Sequence, residues 1–257
     1  MKRVLVIVPF PMSEENLLQR KQQMNALKSR PDIAFDFRAT RFAPSNYVSY
    51  HDLALADFSI ADVGLRAQDE GFDAICVDSM SDSGVNLLRS ILDIPVIGPG
   101  RHAMLTALML GEKFSLLAMW DRWSILYKKT IADLGIEARC ASIRSIGVRP
   151  DNQALLQGKE DDIFPLLEET ALKCVNEDGA DVIILGSTTM HQSHAYLSSR
   201  LPVPVINPGP LTYRMVDIAL SLGLSHSKAA YPAPLSPKTE LLRRIGDRGA
   251  AFAGSAT

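Results

Sequence analysis

Short apolar runs bounded by turn residues alternate with longer segments in which apolar positions recur every three or four residues. That alternation is the signature of a parallel sheet covered by helices. It predicts strands over Arg3–Val8, Ala34–Ala39, Ala74–Val77, Val96–Gly98, Phe114–Ala118, Ala138–Ser145, Val182–Leu185 and Val205–Asn207, with helices between them. Ser13, followed by Glu14 and Glu15, has the chemistry of an N-cap with acids in the positive first turn. Gly71, Gly135, Gly179 and Gly223 each close a helical run. The tail after Ser225, rich in proline, alanine and glycine, reads as a surface wrap with a frayed end.

The pattern repeats. Asp73-Ala-Ile-Cys-Val-Asp-Ser79, a helix and Ile94-Pro-Val-Ile-Gly-Pro-Gly100 are matched by Asp181-Val-Ile-Ile-Leu-Gly-Ser187, a helix and Val203-Pro-Val-Ile-Asn-Pro-Gly209. The two serines are 108 positions apart and the two glycines 109. Each half therefore brings a serine to the carboxyl end of a strand, where open α/β sheets bind ligands. Each Pro-Gly opens a helix whose first amides suit an anion. The expected fold is α/β: two similar parallel-sheet lobes in a pseudo-twofold repeat, with the active site in the cleft between them. Residues 1–112 with 208–257 form one lobe and 113–207 the other, within one compact unit.

Composition narrows the class. Three cysteines with no Cys-x-x-Cys pair give neither a disulfide framework nor a zinc signature, which points to a reducing cytoplasm. No apolar stretch is long enough for a membrane span. Net charge is −2 with scattered basic residues, so no nucleic-acid footprint is present. Neither a Gly-x-Gly-x-x-Gly fingerprint nor a Walker loop occurs, and no cofactor is expected. His191 and His194, three apart, are a metal pair without a third ligand, so no metal is expected either.

Several stretches together resemble the aspartate/glutamate/hydantoin racemase superfamily, and its hydantoin racemase branch most. They are Gly71-Phe-Asp-Ala-Ile through Ser81-Asp82-Ser-Gly84, Pro95-Val-Ile-Gly98, Cys140-Ala-Ser-Ile-Arg-Ser-Ile146, Glu177-Asp-Gly-Ala-Asp-Val-Ile-Ile-Leu-Gly186, Leu222-Gly-Leu-Ser-His-Ser-Lys228 and Ala230-Tyr-Pro-Ala-Pro234. The resemblance implies two α/β lobes and a homo-oligomer. It also implies a cysteine in each lobe, acting as acid and base on opposite faces of a carbon beside a carbonyl. At the corresponding places stand Ser79 and Ser187. A serine hydroxyl is a far weaker acid than a thiol. The expectation is thus that both catalytic cysteines are replaced and that two-cysteine racemisation is unlikely. Cys76, Cys140 and Cys174 fall in apolar patterns and read as core.

Ser79 and Ser187 are candidate catalytic residues, as nucleophile, proton relay or hydrogen-bond donor, or else caps of the following helices. His191, one helical turn beyond Ser187, is a candidate base or acid. Thr188, Thr189 and Met80 adjoin the serines as substrate-binding candidates. Arg101 and His102, in a helix's first turn where many relatives carry a carboxylate, suit a substrate carboxylate. Phe10, Met119 and Trp120 stand where relatives show polar residues, and predict a more apolar pocket. Asp82 reads as the cap of the following helix, and Asp78 as structural or orienting.

Superfamily relatives include racemases, a maleate isomerase and an arylmalonate decarboxylase. The leading expectation is a cofactor- and metal-independent isomerase or lyase acting beside a carbonyl or carboxylate of a small cyclic amide or organic acid. The alternatives are a serine hydrolase of a small amide or ester, with His191 as base, and a non-catalytic binding protein.

Overall fold

The structure, a computed structural model, describes residues 1–25, 31–150 and 161–255. Its strands are β1 (Lys2–Val8), β2 (Ile33–Ala39), β3 (Ala74–Val77), β4 (Val96–Ile97), β5 (Phe114–Ala118), β6 (Cys140–Ser145), β7 (Val182–Leu185) and β8 (Val205–Ile206). All eight runs expected from the sequence form strands. β6 starts two residues late because Glu137–Arg139 make a 3-10 turn. The strands form two four-stranded sheets, ordered β2-β1-β3-β4 and β6-β5-β7-β8, and every pairing is parallel. The repeat read from the sequence is therefore a repeat of topology.

The helices described are α1 (Glu14–Asn25), α2 (Tyr50–Gly64), α3 (Val85–Ile91), α4 (Pro99–Leu110), α5 (Ser124–Leu134), α6 (Phe164–Asn176), α7 (Ser193–Ser198), α8 (Pro208–Leu222) and α9 (Thr239–Ser255). Ser13 caps α1 as expected, its Oγ accepting from the Asn16 amide at 3.2 Å. Gly135 and Gly223 end α5 and α8 at positive φ. The two Pro-Gly pairs open α4 and α8.

The chain divides into two compact units, Met1–Gly98 with Tyr213–Thr257, and Pro99–Thr212. In the first, the central strand β1 is buried from Val4 to Val8, because helices cover both faces of its sheet. One face packs Leu5, Ile7, Ile75 and Val77 against Ile60 and Leu88, and the other packs Val4, Val6 and Cys76 against Tyr213 and Val216. In the second, Leu117, Ile183 and Leu185 pack against Leu167, Ala171 and Cys174 of α6.

The C-terminal tail departs from the expected frayed wrap. Ser225, His226 and Lys228 donate to, or pair with, the last carbonyls of α3 and the residues after it: Ser225 Oγ to Asp93 O at 2.6 Å, His226 Nε2 with Leu92 O at 2.8 Å, and Lys228 Nζ to Arg89 O and Leu92 O at 2.8 and 2.6 Å. These carbonyls lie at a helix end, where cationic donors are favoured. The chain then forms α9, which lies so close over α2 that a Cβ on Gly246 would overlap Asp62 Oδ1. Arg41 links the two helices, bonding both Asp62 oxygens at 2.9 Å and Asp247 at 2.8 Å.

Candidate functional site

Both strand-end serines sit in the same local device. In the first unit the chain leaves β3 through Asp78 and turns at Ser79, which is 9% exposed. Ser79 Oγ lies 2.9 Å from Ser81 Oγ and accepts from the Ser81 amide at 3.4 Å. Ser81 in turn donates to Ser83 Oγ at 3.0 Å. With the Ser81 proton directed there, Ser79 donates to Ser81, and the row Ser79, Ser81, Ser83 forms a polarised hydroxyl chain. In the second unit Ser187 Oγ lies 2.8 Å from Thr189 Oγ1 and accepts from the Thr189 amide at 3.2 Å. A hydroxyl residue two positions on, with its amide turned back to the serine, thus recurs in both halves. Such side-chain turns compete with helix, and they delay each following helix by several residues.

The residue ahead of each serine is anchored differently. Asp78 is buried and takes a two-pronged ion pair from Arg20 of α1 at 2.6 and 2.7 Å, with both side chains at most 5% exposed. Asp78 is therefore structural and holds the turn from below. At the corresponding position of the second unit stands Gly186, whose carbonyl accepts from the buried Tyr127 hydroxyl of α5 at 2.8 Å. A Cβ on Gly186 would meet Tyr127 Oη at 2.6 Å and Leu117 O at 2.9 Å, so the turn needs glycine for a close approach. In each unit the helix after the first strand pins the third strand's end. Sequence reading missed Arg20 and Tyr127, because nothing local marks a contact 58 or 59 residues away.

Asp82 does not cap α3. It stands at φ 50°, packed against Gly98, and Gly84 is the N-cap residue at φ 74°. The Gly84 amide is capped from outside by Asp57 Oδ1 at 2.8 Å. A Cβ there would strike Ile60 Cγ2 at 2.7 Å.

The remaining candidates distribute as follows. Met80, Met119 and Thr188 are buried, and Phe10, Trp120, Thr189 and His191 half-buried. Phe10 stacks on Tyr47, ring centroids 5.1 Å apart, while the Tyr47 hydroxyl donates to Pro9 O at 2.9 Å. Arg101 and His102 are half-buried in the first turn of α4, and both are engaged in contacts. His191 Nδ1 lies 3.4 Å from Thr189 O, and the His191 carbonyl accepts from Asn207 Nδ2 at 3.4 Å. Both hydrogen bonds of Ser187 Oγ among the described residues run to Thr189, so no Ser–His dyad is formed. His194 Nε2 lies 3.1 Å from Val205 O and ties α7 to β8. Among the described residues no group of three or more His, Cys, Asp or Glu is placed to hold a metal ion.

The family described as Asp/Glu/Hydantoin racemase matches residues 11–216. The chain belongs to that family. A hydantoin racemase of Paenarthrobacter aurescens is 30% identical over 90% of this chain and 97% of its own. Among solved structures, the allantoin racemase from Klebsiella pneumoniae superposes with a TM-score of 0.81 at 25% identity, over 94% of this chain and 99% of that one. Allantoin racemase from Pseudomonas fluorescens gives 0.80 at 26%, over 92% and 98%.

These matches overturn one expectation, that serines stand in for both catalytic cysteines and make two-cysteine racemisation unlikely. Relatives covering nearly the whole chain are hydantoin and allantoin racemases. The chain also keeps free cysteine in both units, Cys76 in the first and Cys140 and Cys174 in the second. Serine at two strand ends therefore gives no ground for setting this member apart from cysteine-dependent racemisation. Cys76 is fully buried, and burial pushes its thiol well above the ordinary value. Cys140 departs from the expected core placement: it is half-buried on β6, its thiol raised to about 11 by desolvation.

Proposed function

We propose that this protein inverts the configuration of a carbon beside a carbonyl in a small cyclic amide of the hydantoin or allantoin type, without a metal or organic cofactor. The observation that carries the reading is the pair of matching serine turns at the carboxyl ends of β3 and β7, in a chain of the racemase family. Removing a proton from such a carbon leaves a planar enolate whose charge collects on the carbonyl oxygen. Turn amides and hydroxyls aimed at that oxygen are the groups that lower the barrier. We assign Ser79, Ser187 and His191 to the polar contacts of the reaction, and Phe10, Met80, Arg101, His102, Met119, Trp120, Thr188 and Thr189 to substrate binding. A serine hydrolase is less well supported, because Ser187 and His191 are not hydrogen-bonded to one another.

The protein is inferred to work in the cytoplasm, in keeping with its three free cysteines. We also infer a homo-oligomer, consistent with exposed Leu105 and Met109 one turn apart on α4. The test of activity is an enantiopure 5-substituted hydantoin in D2O, followed by circular dichroism and by mass. Loss of optical activity with gain of one deuterium is expected. Ring opening without deuterium at the ring carbon would replace this reading with hydrolysis.

A further inference from the structure

Trp120 stands just past the carboxyl end of β5, and two guanidinium groups flank it. Arg122 and Arg149 each place their central carbon 5.7 Å from the Trp120 ring centroid. Local hydrogen bonds bring them there. Trp120 O accepts from the Trp123 amide at 3.1 Å, winding the turn that carries Arg122. Met119 O accepts from the Val148 amide at 2.9 Å, which lays Arg149 alongside Trp120. Both arginines are exposed, and neither makes an ion pair among the described residues, whereas Arg20, Arg41 and Arg144, among others, do. The neighbouring carboxylate, Asp121, accepts from the Ser145 hydroxyl instead. Two like charges gathered on one ring with no counter-ion among the described residues repel each other, and an arriving anion relieves that repulsion.

The place is also informative. β5 pairs with β7 through Leu117 and Leu185, so Trp120 and Ser187 leave the same edge of the same sheet on neighbouring strands. An indole offers a flat apolar face to a planar ring, and a guanidinium offers a fork that fits a carboxylate. We propose that Trp120, Arg122 and Arg149 determine specificity for a planar cyclic amide whose ring substituent ends in a carboxylate, the ring stacking on Trp120 and the carboxylate bridging the two arginines. This deepens the racemase reading and rests on it for the identity of the ring. Neither arginine touches the reacting carbon. Their effect is on which substrate is held.

The probe pair is 5-(2-carboxyethyl)hydantoin and its neutral amide, 5-(2-carbamoylethyl)hydantoin, of nearly equal size. In a Trp123→Phe background Trp120 is the sole tryptophan, and its fluorescence reports binding directly. The carboxylate is expected to bind about tenfold more tightly than the amide at low salt, the scale of a charge-assisted contact. That preference shrinks at high salt. In the Arg122→Gln/Arg149→Gln double variant the ratio falls to about one. Equal binding of the two probes, a preference that survives the double variant, or no quenching by either probe at millimolar concentration overturns the proposal. Racemisation of the amide probe, measured separately by circular dichroism, reports on the underlying reading: its absence counts against the racemase, while its presence with equal binding counts against the arginine pair alone.

Discussion

Gly186→Ala tests the turn that presents Ser187. The added methyl would lie 2.6 Å from Tyr127 Oη, 2.9 Å from Leu117 O and 3.1 Å from Ala118 Cα. Two of these neighbours are backbone in the middle of a sheet, and the third is a hydroxyl on a fully buried ring, so nothing nearby can yield cheaply. Overpacking of this kind costs about 1–3 kcal/mol. Against it stands a gain of about 0.4–1 kcal/mol from the lower entropy of the unfolded chain. The net expectation is a loss of about 1–2 kcal/mol in urea unfolding, with the unfolding slope unchanged. Tyr127→Phe removes the hydroxyl that donates to Gly186 O and should cost about 1–3 kcal/mol by itself. It also removes the tightest of the three contacts, so the double variant should be destabilised by less than the sum of the singles. Displacing Ser187 by roughly 1 Å would further lower turnover about 100-fold. A neutral or stabilising Gly186→Ala, or strict additivity with Tyr127→Phe, would refute the reasoning.

Other consequences follow from the anchors and the titratable groups. Asp78→Asn removes the buried carboxylate charge that Arg20 grips at two points and should cost about 3–5 kcal/mol in chemical denaturation, the usual scale for breaking a buried pair; a loss under about 1 kcal/mol would show that water reaches the pair. In native protein at pH 8, maleimide followed by mass spectrometry should modify Cys140 slowly and leave Cys76 and Cys174 unmodified, because Cys140 is half-buried with a thiol near 11, about one thiolate in a thousand, and the other two are buried. At α9, Arg243 and Arg244 hold Glu240 down at about 2, and Arg41 holds Asp247 below its ordinary range. A carboxyl lowered in the folded state stabilises above its unfolded value of about 4 and loses that contribution as pH falls through the folded value. Protection of the α9 amides, each rate taken relative to its intrinsic rate at that pH, should therefore fall between about pH 4 and pH 2 before the sheets open, and unchanged protection over that window would contradict the clamp.

The strands were legible because each is a short apolar run closed by a turn residue, and the repeat was legible because its serines and Pro-Gly pairs keep nearly constant spacing. Strand order was not, since no local pattern tells β1 which neighbours to take. α9 was hidden by its glycines and alanines, which read as a loose tail until the helix is seen to need Gly246 for its approach to Asp62. Asp82 has the right type for a cap, but its left-handed conformation moves the cap to Gly84. The strand-end turns at Ser79 and Ser187 were legible from the repeat, while the conclusion drawn about cysteine chemistry was too strong, since family membership rests on the whole chain and not on two positions.

The central claim is that the two serine turns serve the reaction, and its most direct test is the rate of solvent deuterium uptake at the ring carbon of an enantiopure 5-substituted hydantoin. Ser187→Ala, Ser79→Ala and wild-type protein are compared. The account predicts catalysed exchange by the wild type, a loss of at least about 100-fold in Ser187→Ala, the scale of a positioned acid, base or oxyanion donor, and a smaller loss in Ser79→Ala. Wild-type rates of exchange in both alanine variants would contradict it.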